Sequence, residues 1–356
     1  MRDKRVSISK GICIILMVYC HAGCMNFLHD FIYMFHMPLF FFMSGYCFKE
    51  KYRTNVLSFM KNKVRGIWWP YVKWVSIFVL LHNLFIRLGV FYEGFVYRNV
   101  TMRYYSMSEI CLNLLNTLRF CHGELLLAGF WFLFTLFGAS VIFIFLIKTI
   151  KDLYWAAAVV FCLMLIFKSF SFSLPFLHLG DKELQATFFM FIGYMFKCNQ
   201  MANGILSSFI TKRIVVLILV ALVIVGSVYF PSQMIKLDIK TIVPYTLFAI
   251  PGILMVMSLA SFILKNNMAT KVLMYIGDNT LPILVWHFSL FKVVSAFLII
   301  AYGLDFKNLS DFPTIQNLSM AGWNIVYTLV AVVLSLVLAN LFDIKNIRNG
   351  ISKYNN

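Results

Sequence analysis

Apolar residues run along this chain in blocks of about twenty, each closed by a few polar or charged residues, and the blocks repeat from one end to the other. A helix needs about 20 consecutive apolar residues to cross a bilayer. The pattern therefore predicts about ten membrane helices, at approximately 8–26, 31–48, 68–90, 127–148, 153–168, 183–198, 213–231, 242–264, 280–302 and 320–342. Between the fifth and sixth lies only the short break "FKSFSFSLPFLHLGDKE", which blurs their limits. An even number of spans puts both termini on the same side. The expected fold class is an all-α polytopic membrane protein, one domain over residues 1–356.

Composition supports lipid as the surrounding solvent. Of 356 residues, 61% are hydrophobic and 13% charged, where soluble domains carry about 25% charged residues. With mean hydropathy at +0.83 and 38 phenylalanines, apolar side chains must face something other than water along most of the length. The start, "MRDKRVSISKGICIILMVYCHAG", has the basic head and apolar body of a signal peptide. Its apolar run is long, no small-residue cleavage site follows, and a second hydrophobic segment begins within a few residues, so a retained first span is expected.

Charge orients the array. With the N-terminus inside, the inner segments hold 19 Lys and Arg and the outer segments nine (Arg87, Arg98, Arg103, Arg119, Lys168, Lys182, Lys236, Lys240 and Lys307). Cytoplasmic loops concentrate Lys and Arg, so both termini are placed in the cytoplasm. The net charge of +17 is then mostly topology, and a nucleic-acid partner is not implied because no basic domain gathers it. The longest outer stretch, about 91–126, contains "MSEICLNLLNTLRF", in which Ile110, Leu112, Leu114, Leu115 and Leu118 roughly follow helical spacing. An interfacial helix is expected there. The eight cysteines form no Cys-x-x-Cys pair and read as small apolar filler, with Cys111 and Cys121 in a loop and taken as thiols. No internal repeat supports an inverted-repeat transporter fold.

Ionisable residues inside spans are expensive and mark candidate sites. His21 and His36 lie symmetrically about the expected turn "NFLHD", which places them at similar depth. Lys10 and His21 are eleven residues apart, about three helical turns, so both project from one face of the first helix with Ile14 and Met17 between them. That stripe suits an anionic ligand held by a cation below a general base. Plainer readings stand beside it: Lys10 as a snorkelling interfacial lysine, His21 as a helix-packing hydrogen bonder, and His36, two residues before Pro38, satisfied by a freed backbone carbonyl. His29 and His122 also fall outside, but no ligand spacing accompanies them, so no metal site is expected.

"ISKGICIILMVYCHAG" followed by "IYMFHMPLFFFMSGYCF" resembles the opening of the acyltransferase 3 family of membrane acyltransferases, which includes many bacterial polysaccharide O-acetyltransferases. That family carries a basic residue, ten intervening residues and a histidine on its first helix, matched here by Lys10 and His21, with lysine in place of the commoner arginine. The Phe-His-Met-Pro-Leu-Phe-Phe-Phe-x-Ser-Gly signature matches from Phe35 to Gly45. "FWFLFTLF" at 130–137, "FFMFIGYMF" at 188–196 and "YIGDNTLPILVWHFSLF" at 275–291 are similar to later family segments, with Thr280 replacing the usual serine.

The resemblance implies transfer of an acyl group, usually acetyl, from cytoplasmic acyl-CoA to a hydroxyl of a lipid-linked or extracytoplasmic glycan, in the bacterial plasma (inner) membrane. No tightly bound cofactor is implied; acyl-CoA is a substrate. The implied base is His21, with Lys10 holding the CoA end or stabilising negative charge, and His36 across the hairpin orienting the base or the substrate. Lys61, Lys63 and Arg65 in "KNKVRGIWWPY" fit the CoA phosphates, although a further basic residue common in the family is Gly66 here, and plain positive-inside charge explains the three equally. Trp131, Asp278 and His287 are candidate pocket-lining residues, with Asp278 also readable as a helix cap and His287 as packing. His82, Lys73 and Lys292 match no motif and read as structural. The chain ends 14 residues after its last predicted span, so the membrane domain acts alone or with a separate protein. A lipid-linked sugar flippase or small-solute transporter is the rival from another class, since ten spans with scattered intramembrane cations serve it as well. A structural partner of a polysaccharide machine is the third reading.

Overall fold

The computed structural model describes residues 3–97, 100–174, 179–203 and 212–342. Its helices in chain order are α1 Lys4–His21, α2 Asn26–Tyr33, α3 His36–Tyr46, α4 Lys51–Thr54, α5 Val56–Lys63, α6 Trp69–Arg87, α7 Met107–Thr117, α8 Trp131–Thr149, α9 Leu153–Ser169, α10 Asp181–Asn203, α11 Arg213–Tyr229, α12 Ile242–Ile263, α13 Asn267–Asp278, α14 Thr280–Tyr302 and α15 Asn324–Phe342. Among the described residues the strand content is one two-stranded ribbon, Val96–Tyr97 against Val100–Thr101. Six helical stretches among the described residues are long and apolar enough to cross a membrane: Val56–Arg87, Leu125–Thr149, Arg213–Lys236, Ile242–Ile263, Thr280–Tyr302 and Gln316–Leu341. The protein is an all-α, multi-pass membrane protein. Arg98 and the basic residues counted at 345–353 lie outside the described residues.

Two expectations for the first hairpin are corrected. α1 ends at His21 and the turn is Ala22–Met25, because Gly23 adopts φ +94, the left-handed conformation that stops a helix at little cost. "NFLHD" is therefore the start of α2, and the symmetry of His21 and His36 about it does not hold. The second expected span is broken between Tyr33 and His36 into α2 and α3. Pro38 has no N–H to give the carbonyl four residues earlier, at Met34, so the α pattern cannot run through. A similar effect widens the helix ahead of Pro70, where Val64–Trp68 forms a π-turn with the Trp69 amide on the Val64 carbonyl.

Packing groups the chain into two compact units. The first comprises residues through Cys13, Asn26–Lys73 and Trp131–Gly277. Here α10 lies against α3, α8 and α9, and α12 against α11 and α3. α3 and α10 approach so closely that a Cβ on Gly45 would run into the Met190 carbonyl, and one on Gly193 into the Phe42 carbonyl. Since lipid is as apolar as the side chains, such close backbone contact is what holds membrane helices together. Gly11 and Gly277 do the same for α1 and α13, against the carbonyls of Leu273 and Ser7. At the start of α1, Asp3 accepts from the Tyr46 hydroxyl at 2.7 Å and from Arg5 at 2.8 Å. Burial pushes the Asp3 carboxyl up, but these hydrogen bonds outweigh it and hold it below its ordinary value.

The second unit comprises Ile14–Met25, Trp74–Phe130 and the chain from Asp278 onward. α14 packs on α15 and carries the 3-10 segments Leu125–Phe130 and Phe306–Ser310 on its surface. A helix, α7, forms in the stretch where an interfacial one is expected, closed at its start by a reciprocal Ser106–Glu109 capping box. Met107, Leu112 and Leu115 are exposed on it, and Leu118 just past its end.

Gly45→Ala is expected to lower the apparent unfolding midpoint in detergent, since forcing α3 off α10 costs about 1–3 kcal/mol and outweighs the gain of about 1 kcal/mol in helix propensity. A midpoint that stays or rises would show that the α3–α10 contact has slack.

Candidate active site

The second unit fixes the end of α1 by answering the two carbonyls that follow it in the turn. Four C-terminal carbonyls of any helix lack partners within it. Here the Ala22 carbonyl accepts from the Ser319 hydroxyl and from Thr314 Oγ1 at 3.4 Å, and the Gly23 carbonyl accepts from Asn324 Nδ2 at 2.8 Å. His21 is the last residue of the helix held this way. Its half-buried imidazole stacks on Phe288 (centroids 5.0 Å, 17°) and on His287 (5.3 Å, 22°).

His287, on α14, is fully buried, and its Nδ1 lies 3.0 Å from the carbonyl oxygens of both Ile283 and Leu284. Carbonyls only accept, so Nδ1 carries the proton and Nε2 of the neutral ring carries the lone pair. That nitrogen is 3.1 Å from His21 Nδ1, so His21 Nδ1–H donates to it. The network thereby assigns the basic lone pair of His21 to Nε2. A neutral, buried histidine thus sets the tautomer of a second one, as the third member of a catalytic triad does for its base. The Leu125–Phe130 segment crosses α14 at this level, where a Cβ on Gly129 would sit 3.7 Å from His287 Cε1.

The other predicted residues fall as follows. Lys10 is half-buried on α1, eleven residues and about three turns before His21. His36, the first residue of α3, is buried, and its Nδ1–H donates at 2.9 Å to the Ile32 carbonyl, which also accepts from the Phe35 amide at 3.2 Å. Tyr33 meets its ring edge to face at 4.7 Å. The expected basic loop is helical, with Lys61 and Lys63 on α5 and Arg65 in the π-turn. Lys63 turns inward and donates to Ser44 Oγ at 3.2 Å, so the signature serine of α3 holds it, while Lys61 and Arg65 are exposed. Trp131 opens α8 half-buried. Asp278 is the exposed last residue of α13, and the residue in the cap position of α14 is Asn279. None of the eight cysteines forms a disulfide. Among the described residues no three His, Cys, Asp or Glu side chains cluster as metal ligands do.

Comparison with known proteins bears on this geometry. The model of an acyltransferase domain family, acyltransferase 3, matches residues 4–340. The chain belongs to this acyltransferase family. No curated protein and no solved structure matches it. The stretch of the acyltransferase that matches includes both members of the histidine pair and every other predicted site residue.

Sequence reading passed over a second polar cluster of this acyltransferase. His82, on α6, donates Nε2–H to the Arg103 carbonyl at 3.1 Å and pairs through Nδ1 with the Glu124 carboxyl group at 3.0 Å, with both side chains buried. Tyr105 stacks on its ring at 3.7 Å, and Asn83 exchanges two 2.8 Å hydrogen bonds with the Tyr105 backbone. Together they pin the segment around α7 to the end of α6. Burial raises the Glu124 carboxyl, and the His82 hydrogen bond opposes it. Forty-two residues separate the pair, and no spacing rule connects an intrahelical histidine to a loop glutamate.

Beside them His122 accepts from the Glu124 amide at 3.2 Å, and burial lowers its pKa from 6.5 to about 4. The unfolded chain binds that proton below about pH 6.5 and the folded protein only below about 4. Its contribution to stability is therefore complete above the upper value and lost as pH falls between the two. The unfolding midpoint is expected to drop over that interval, and His122→Phe to flatten the drop. An unaltered pH profile in the variant would place its source elsewhere.

Proposed function

We propose that this protein is an O-acyltransferase that moves an acyl group, most simply acetyl, from acyl-CoA to a hydroxyl of a lipid-linked or extracytoplasmic glycan. Family membership supports the acyltransferase chemistry, and the observation that carries the mechanism is the 3.1 Å hydrogen bond from His21 to His287. In this reading His21 Nε2 takes the acceptor hydroxyl's proton as the oxygen attacks the thioester carbonyl. The carbon–sulfur bond then breaks, and the same nitrogen returns the proton to the departing CoA thiolate. His287 holds His21 in the tautomer this needs. Its own Nδ1–H stays on the two α14 carbonyls throughout.

Lys10, three turns before the base on the same helix, binds the donor or the developing negative charge. Lys61 and Arg65, exposed beside the inward Lys63, meet the CoA phosphates. His36 serves the backbone at Ile32 and supports α3 rather than the reaction. The protein sits in the bacterial plasma membrane with about ten spans and cytoplasmic termini, an arrangement that the 19-to-9 split of basic residues favours. Trp131 and Asp278 line the approach of substrate, and membrane lipid carries the acceptor.

The test is transfer of labelled acetyl from acetyl-CoA to isolated cell-envelope glycans by the purified protein in lipid nanodiscs. His21→Ala is expected to lower kcat by about 100-fold or more, His287→Ala to lower it less, and Lys61→Ala with Arg65→Ala to raise KM for acetyl-CoA most at low salt. Undiminished transfer by His21→Ala would remove the proposed base.

A further inference from the structure

Lys292 lies on α14, five residues after His287, in the interior of the second unit, and only 5% of it is exposed. An intramembrane lysine is expensive unless its charge is answered, and here the answer is specific. Its ammonium donates to the carbonyl of Leu309 at 2.8 Å and of Asp311 at 2.7 Å. The face of Phe91 lies 4.6 Å away and that of Phe312 5.5 Å, the geometry of cation–π attraction. Three different stretches of chain therefore meet at one charge.

The clasp continues to the histidines through stacked rings. Phe312 lies 4.9 Å from Phe288, and Phe288 lies 4.0 Å from His287 and 5.0 Å from His21. Thr314, two residues beyond Phe312, donates to Ala22 at the end of α1. Ser310, inside the gripped stretch, accepts from the Tyr92 amide at 2.8 Å. The segment held by Lys292 thus sets both the backbone that bears His21 and the ring against which His21 stacks.

We infer that Lys292 is a positioning residue for His21, acting by clamping residues 309–314 so that Phe312 and Phe288 hold the imidazole in register with His287. The inference rests on the reading of His21 as the base only for its kinetic consequence. The clamp itself is a statement about the placement of the His21 ring. An arginine reaches the same carbonyls less compactly, and methionine keeps the apolar stem while removing every donor and the charge.

The experiment uses the full chain in nanodiscs and two readouts. In the first, diethyl pyrocarbonate modification of His21 is timed by peptide mass spectrometry. Lys292→Met is expected to change that rate by about 10-fold, and Lys292→Arg to restore most of it. In the second, Lys292→Met is expected to lower kcat for acetyl transfer by up to about 100-fold, as small misplacements remote from the chemistry do, with KM for acetyl-CoA unchanged. A lysine serving stability alone would lower the yield of folded protein and leave both readouts of the folded fraction as in wild type, and that result overturns the proposal. If wild type transfers no acetyl group, the functional reading fails and the modification rate still decides the clamp. Phe312→Leu keeps Lys292 and its carbonyls but cuts the path to Phe288. It is expected to reproduce the change in His21 reactivity, and it carries the test should Lys292→Met not fold.

Discussion

Hydrocarbon offers a peptide group nothing to bond to, so each helix break inside a membrane protein leaves carbonyls that only the protein can answer. In this acyltransferase polar side chains gather at such places. At the break before Pro38 the Ile32 carbonyl, already bonded by the Phe35 amide, takes a second donor from His36. At the end of α2 the Tyr33 carbonyl accepts from the Tyr245 hydroxyl, and past the end of α3 the Phe48 carbonyl accepts from Lys197. The end of α1 is closed by Ser319, Thr314 and Asn324, and the 309–311 stretch by Lys292.

The histidine pair follows from the same constraint. His287 reaches back to two carbonyls of its own helix, which decides which ring nitrogen bears its proton, and that in turn decides how His21 presents its lone pair. The orientation of the His21 ring comes from a rigid α14 and a capped α1 rather than from a loop. A carboxylate in the place of His287 would do this with a buried negative charge. A neutral imidazole does it without one, which is the cheaper arrangement in a medium of low dielectric.

Close backbone contact supplies the frame. Gly45 is the last residue of the family signature and Gly193 belongs to the Phe- and Gly-rich segment at 188–196, and each stands against a carbonyl on the other's helix. The signature's small residues are thus accounted for by helix packing. Its Ser44 is engaged by Lys63, which ties the end of α5 to the same helix.

Much of this was legible in the residues themselves. Apolar runs of membrane length, the asymmetry of Lys and Arg, and the Lys10–His21 stripe are local properties, set within one helix or one loop, and local periodicity is what a sequence displays directly. The hairpin was misread because Gly23 and Pro38 act through backbone geometry at single positions, which a hydropathy run averages away. His287 was recognised as a candidate, but its partnership with His21 spans 266 residues. The His82–Glu124 pair and the grip of Lys292 on residues 309–311 likewise join segments that no spacing relates. Which carbonyl needs a donor, and which side chain is near enough to give one, is decided only when the helices have packed.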